Sequence, residues 1–194
     1  MPAPHLVVER PDRSGGWSIR TASGAVWGRF DPGNPGDPGW IPDPLPFGVI
    51  RIVRSGSVAG WPEPTEPGNW TPKALAQWPA VLKRLQETHS AANPLLLLPD
   101  ARDLISDAPG TLRVAYGDDG SGCGLFGVAL DPSRLLAGSL RDLNADRDDF
   151  VHRLAEVVVP RCRLLITSGM DWATATQRTA LHGAAAAAGV PNAA

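Results

Sequence analysis

Between residues 31 and 46 the chain reads DPGNPGDPGWIPDPLP, with six prolines in sixteen residues. Each proline fixes φ and removes a backbone donor, so neither a helix nor a paired strand can run through this stretch. Any fold must therefore be built around a long irregular connection. A second stretch, WPEPTEPGNWTP, runs from Trp61 to Pro72. The two share a Pro-Gly-(Asn)-Trp element, at Pro38–Trp40 and Pro67–Trp70, too short to be a structural repeat.

The segments around these runs carry regular signals. His5–Arg10 and Trp17–Thr21 read as strands, and Ala25–Phe30 returns after the turn Ala22-Ser23-Gly24, a hairpin pattern. Gly48–Arg54 alternates as a strand. Thr71 and Pro72 form a cap-and-start pair. Pro79 then interrupts: either the helix begun at Pro72 kinks there, or a new helix opens at Pro79 and runs to about His89, with Val81, Leu82 and Leu85 on one face.

From Asn93 the pattern becomes α/β. Leu95–Leu98 is apolar throughout, as a strand buried on both faces is. Ala101–Asp107 reads as a short helix, Thr111–Tyr116 with Gly124–Leu130 as a second hairpin, and Asp131 to about Leu143 as a helix. Asp146 caps a further helix with Phe150, Val151, Leu154, Val157 and Val158 on one face, ended by Pro160. Leu164–Thr167 reads as a strand. Ser168 with Asp171 resembles a capping box for a last helix, from Asp171 to about Ala188, stopped by Gly189. The expected fold class is α/β, with α+β as the alternative: a mixed sheet with flanking helices and an N-terminal antiparallel segment bearing Pro/Trp-rich loops. A single domain, 1–194, is expected, divided into a β- and loop-rich lobe (1–70) and an α/β body (71–194).

Composition narrows the function. Hydrophobic residues make up 43% of the chain, enough for a core. The net charge is −2 and the basic residues are scattered among acids, so no nucleic-acid footprint is present. No apolar run approaches the roughly 20 residues that cross a bilayer, and no basic start followed by an apolar stretch suggests a leader. With two cysteines, Cys123 and Cys162, and no CxxC, the expectation is a cytoplasmic protein with free thiols and no membrane partner. The Gly-rich 117–124 segment lacks the Gly-Lys-Ser/Thr ending of a phosphate loop, and no cofactor motif is present.

Three groups of residues carry chemistry. Asp100, Ser168 and Asp171 follow the two apolar strands. If those strands are parallel, all three line one crevice, where α/β sheets bind ligands; as caps and first-turn acids they need no ligand. Adjacent Asp118 and Asp119 offer hard-cation ligands, although Asp-Gly and Ser-Gly are equally what a hairpin turn requires. Six of the seven tryptophans fall in Trp17–Trp78. Of these, Trp40, Trp61 and Trp70 sit on Pro-Gly loops that suit recognition. The leading expectation is a non-enzymatic module that binds a protein partner through these loops. The rivals are a small α/β hydrolase or transferase working at the crevice, and a single-strand nucleic-acid binder using Trp stacking.

Overall fold

The computed structural model of the chain describes residues 5–9, 16–56, 72, 76–103, 105–116, 126–136 and 144–194. Strands β1 (His5–Glu9), β2 (Ser18–Thr21) and β3 (Val26–Asp31) form an antiparallel meander, with a bulge between Ile19 and Arg20. β4 (Ile50–Arg54), β5 (Leu95–Leu98), β6 (Gly127–Leu130) and β7 (Leu164–Ile166) then add in parallel to β3, one after another. The two-residue β8 (Asn192–Ala193) pairs in parallel with both β7 and β1 and closes the sheet into an eight-stranded barrel. All strands except β2 therefore run the same way. The expected mixed sheet with flanking helices is present in part: it is closed into a barrel and not open.

The helices lie outside. α1 (Trp78–Thr88) joins β4 to β5, and α2 (Ala108–Tyr116) joins β5 to β6. α3 (Pro132–Leu135) and α4 (Asn144–Arg153) lead to β7, and α5 (Ala175–Ala188) leads to β8. α4 continues through one π turn, Leu154–Val158, and a 3₁₀ turn ending at Arg161. Alternation along the strands sorts the core. In β5, Leu96 and Leu98 point into the barrel with Leu6, Ile19, Phe30, Ile52 and Ile166, while Leu95 and Leu97 point out against α1. Val128, Leu130 and Leu165 face outward onto α4 and α5. Two-sided burial is why these strands read as unbroken apolar runs.

Three local expectations are corrected. Residues 101–103 and 105–107 are turn, bend and coil, not the short helix expected over Ala101–Asp107. Residues 111–116 are helical, not a hairpin strand. The Asp107 carboxylate accepts the Gly110 N–H at 2.7 Å, as an N-cap does, and Pro109 suits a first turn. The last helix starts at Ala175, not Asp171. Thr174 and Gln177 form the reciprocal capping box assigned in sequence to Ser168 and Asp171. The Thr71 cap and the 137–143 part of the expected Asp131–Leu143 helix lie outside the described residues.

The Pro-rich connection takes the place of a helix between β3 and β4. It opens with three triplets, Asp31-Pro-Gly33, Asn34-Pro-Gly36 and Asp37-Pro-Gly39. In each, the first side chain accepts the glycine N–H, at 2.9, 3.0 and 2.8 Å. These local turns satisfy the backbone where proline forbids a ladder. Arg84 of α1 donates twice to the Pro35 carbonyl, and Asn93 donates to the carbonyls of Pro46 and Val49, so both ends of the loop are tied down. Trp40 packs into the outer cluster of β4, β5 and α1, directly over Gly33. A Cβ at Gly33 would sit 2.2 Å from Trp40 Nε1. Gly33→Ala is therefore expected to destabilise the fold by about 1–3 kcal/mol, read by urea denaturation; an unchanged midpoint would show that the indole does not pin this loop.

Candidate functional site

In parallel barrels, side chains from the carboxyl ends of several strands converge on one mouth. Here that rim holds an ion cluster. Arg54, the last residue of β4, follows the inward phase set by Ile52 and is 5% exposed. Its Nε and Nη2 donate to the two carboxylate oxygens of Asp103, at 3.0 and 2.6 Å, a bidentate pair buried from water. Asp103 also accepts the Gly56 N–H at 3.2 Å. Gly56 has φ +80°, and a Cβ there would meet Asn34 Oδ1 at 2.3 Å, so only glycine fits.

Asp100, just past β5, is 1% exposed and is the hub of the cluster. Arg102 reaches it three times: backbone N–H to Oδ1 at 3.1 Å, Nε to Oδ1 at 2.9 Å and Nη2 to Oδ2 at 3.0 Å. Arg134, from α3, donates Nη1 to Oδ2 at 3.2 Å, and Arg54 Nη2 lies 3.4 Å from Oδ1. One buried carboxylate thus gathers three guanidinium groups. Arg134 also lies 3.5 Å from Asp131, and its Cζ sits 5.4 Å from the centroid of Phe30, whose ring stacks on Trp17 at 4.9 Å. The result is a Trp17–Phe30–Arg134 stack, with Phe30 among the inner-face side chains, that fixes the orientation of the guanidinium plane.

Protonation follows the packing. Burial pushes the Asp103 carboxyl up, against the pull of its hydrogen bonds to Arg54. Burial likewise raises Asp131, opposed by Arg134 and Ser133. Burial first, and then the like charges of Arg54 and Arg134, lower Arg102 from the usual arginine value. It is still a cation at neutral pH. The Cys162 thiol, enclosed behind β7, is pushed up to about 12 by burial and behaves as a small apolar side chain.

Of the residues singled out in the sequence, Asp100 lies at the centre of this cluster. Ser168 and Asp171 lie in the segment after β7, on the same rim. Ser168 is half-buried and Asp171 exposed. Among the described residues no hydrogen bond or ion pair joins either to Asp100. The rim is linked through Ser133 instead, whose hydroxyl donates to the Gly169 carbonyl at 2.8 Å and accepts from Trp172 Nε1 at 3.0 Å. Trp40 is half-buried and lies 3.5 Å from Asp31 through its Nε1. Trp61, Trp70, Asp118 and Asp119 lie outside the described residues. Among the described residues no group of three or more His, Cys, Asp or Glu is arranged to hold a metal, and no helix is long and apolar enough to cross a membrane.

Sequence reasoning missed Arg54, Arg102 and Arg134, and noted Asp103 after β5 without giving it a role. A signal was present: two apolar strands are each followed by an acid and then an arginine, Asp100-Ala-Arg102 and Asp131-Pro-Ser-Arg134. Comparison with protein-family models, with curated proteins and with solved structures gives no match to this chain, so the site is read from its own geometry.

Proposed function

We propose that the barrel mouth binds a small ligand through an anionic group, carboxylate or phosphate, held by Arg102 and Arg134. The observation that carries this reading is how the charges are sorted by depth. The Asp103, Asp100 and Asp131 side chains are 0%, 1% and 13% exposed, whereas those of Arg102 and Arg134 are 34% and 25% exposed. The carboxylates lie behind and the guanidinium groups face water. Arg102 and Arg134 are already oriented, one by a three-point contact with Asp100 and the other by Phe30. A ligand anion would therefore meet donors whose entropy of ordering is already spent. Asp100, saturated with donors, serves in this reading as an anchor for the arginines and not as a general base. Titration calorimetry with inorganic phosphate and with small mono- and dicarboxylates tests the reading. Salt-sensitive, saturable heats in the millimolar range or tighter support it. Absence of heat for every anion at ~10 mM, well beyond weak-site affinities, contradicts it.

A second reading, docking of a protein partner on the Pro-rich loop, is favoured by one observation. Ile41 and Phe47 are 86% and 88% exposed on a loop whose two ends are tied down. Large apolar side chains held out on a rigid loop suit recognition. Ile41→Ser/Phe47→Ser is expected to leave stability within about 0.5 kcal/mol. A photo-crosslinker at position 47 is expected to give one discrete adduct in native lysate, suppressed by Ile41→Ser. A smear, or no adduct, would count against docking.

A further inference from the structure

The opposite end of the barrel carries a second concavity, away from the charged rim. We propose that it is a ligand site for a flat apolar molecule bearing one acidic group. The groove has a volume of about 860 Å³, within the range of small-molecule sites. It is formed where β5, β6 and β7 begin and where α5 ends. Trp27 and Ile50, half-buried among the inner-face side chains, line it together with Phe126 and Pro191. These supply flat apolar surface for a ring.

No Asp or Glu is among the described residues that line the groove, whereas Arg161, Arg163 and His89 are. Arg161 donates to the Val157 carbonyl and so caps the end of its own helix, which leaves Arg163 as the cation for an acidic group. His89 accepts the Leu95 N–H on Nδ1 at 2.9 Å, so its neutral ring carries the proton on Nε2 and offers a donor there. An edge contact with Phe126, centroids 5.9 Å apart, fixes the imidazole plane.

Gly127 is what makes room for Arg163. A Cβ at that position would lie 2.6 Å from Arg163 Cγ and 2.5 Å from Leu96 Cδ2. Glycine inside a strand marks a close approach, and here the approaching group is the stem of the groove's cation. This arrangement is independent of the anion reading at the other rim, because the two sites share no residue.

The probe is 2-naphthoate, with neutral 2-naphthol as its control, followed by shifts of the Trp27 indole and Phe126 ring resonances in the full chain. Saturable shifts are expected with naphthoate. Arg163→Gln is expected to weaken naphthoate about tenfold, as loss of one charge-assisted contact does, and to leave naphthol unchanged. Naphthoate failing to move Trp27 and Phe126 at ~1 mM, a weak-site concentration, would overturn the proposal. So would equal affinities for the acid and the alcohol, or an Arg163→Gln protein that binds as the parent does. Because Arg163 is exposed, the substitution leaves the fold intact, and a matching denaturation midpoint confirms that the comparison is valid.

Discussion

Replacing Arg54 by Met is expected to cost about 3–5 kcal/mol of folding free energy, the largest single-residue effect anticipated in this protein. The substitution keeps the volume of the side chain and removes its charge. Asp103, 0% exposed, and Asp100, 1% exposed, then lose the guanidinium that offsets their desolvation. At roughly 2–4 °C per kcal/mol for a chain of this size, melting should fall by about 6–20 °C. Most of the penalty belongs to the stranded acid and little to the pair itself. The double variant Arg54→Met/Asp103→Leu is therefore expected to recover at least half of the loss, with the orphaned Gly56 N–H limiting the rest. A single variant as stable as the parent would mean that the pair does not organise the rim. A double variant no better than the single would mean that the cost lies in packing.

The second large effect concerns binding. Arg134→Ala removes the cation stacked on Phe30 and one of the donors to Asp100. Arg102→Ala removes its two side-chain bonds to Asp100, at 2.9 and 3.0 Å, and keeps the backbone N–H contact. Each is expected to weaken anion binding about 10–100-fold, since bonds to charged groups contribute roughly 1.5–3 kcal/mol. Lys at either position should restore charge without restoring affinity, because an ammonium cannot reproduce the planar fork. Both side chains are partly open to water, so stability should fall far less than with Arg54→Met. That contrast separates the structural member of the cluster from its ligand-facing members. Calorimetric titrations alongside denaturation curves read both quantities on the same samples.

How much of this was legible beforehand differs from residue to residue. Leu95–Leu98 and Leu164–Ile166 were plain in the sequence because strands buried on both faces are apolar at every position. The place of Asp100, just past the carboxyl end of β5, followed from that. Barrel closure was not legible: it depends on two residues, Asn192 and Ala193, that hydrogen bond to both neighbouring strands and carry no periodicity. The antiparallel β1–β3 meander reads locally as a separate hairpin, and nothing in residues 5–31 announces that β3 pairs in parallel with β4. The alternation of Thr111–Tyr116 misled because a cap at Asp107 outweighed weak strand propensity. The arginines escaped notice for a different reason. A charged residue at a strand end ordinarily faces water, and only the tertiary fold turns Arg54 inward onto two buried acids.

The most direct measurement of the central claim is arginine-selective NMR of the guanidinium Nε–H groups during titration with inorganic phosphate. With Arg102 and Arg134 as the receiving groups, both resonances should shift with one common saturation curve. Arg54, locked on Asp103, should move little, and Arg163 at the far end of the barrel should not follow that curve. Shifts confined to other arginines, or a uniform drift of all of them with ionic strength, would contradict it.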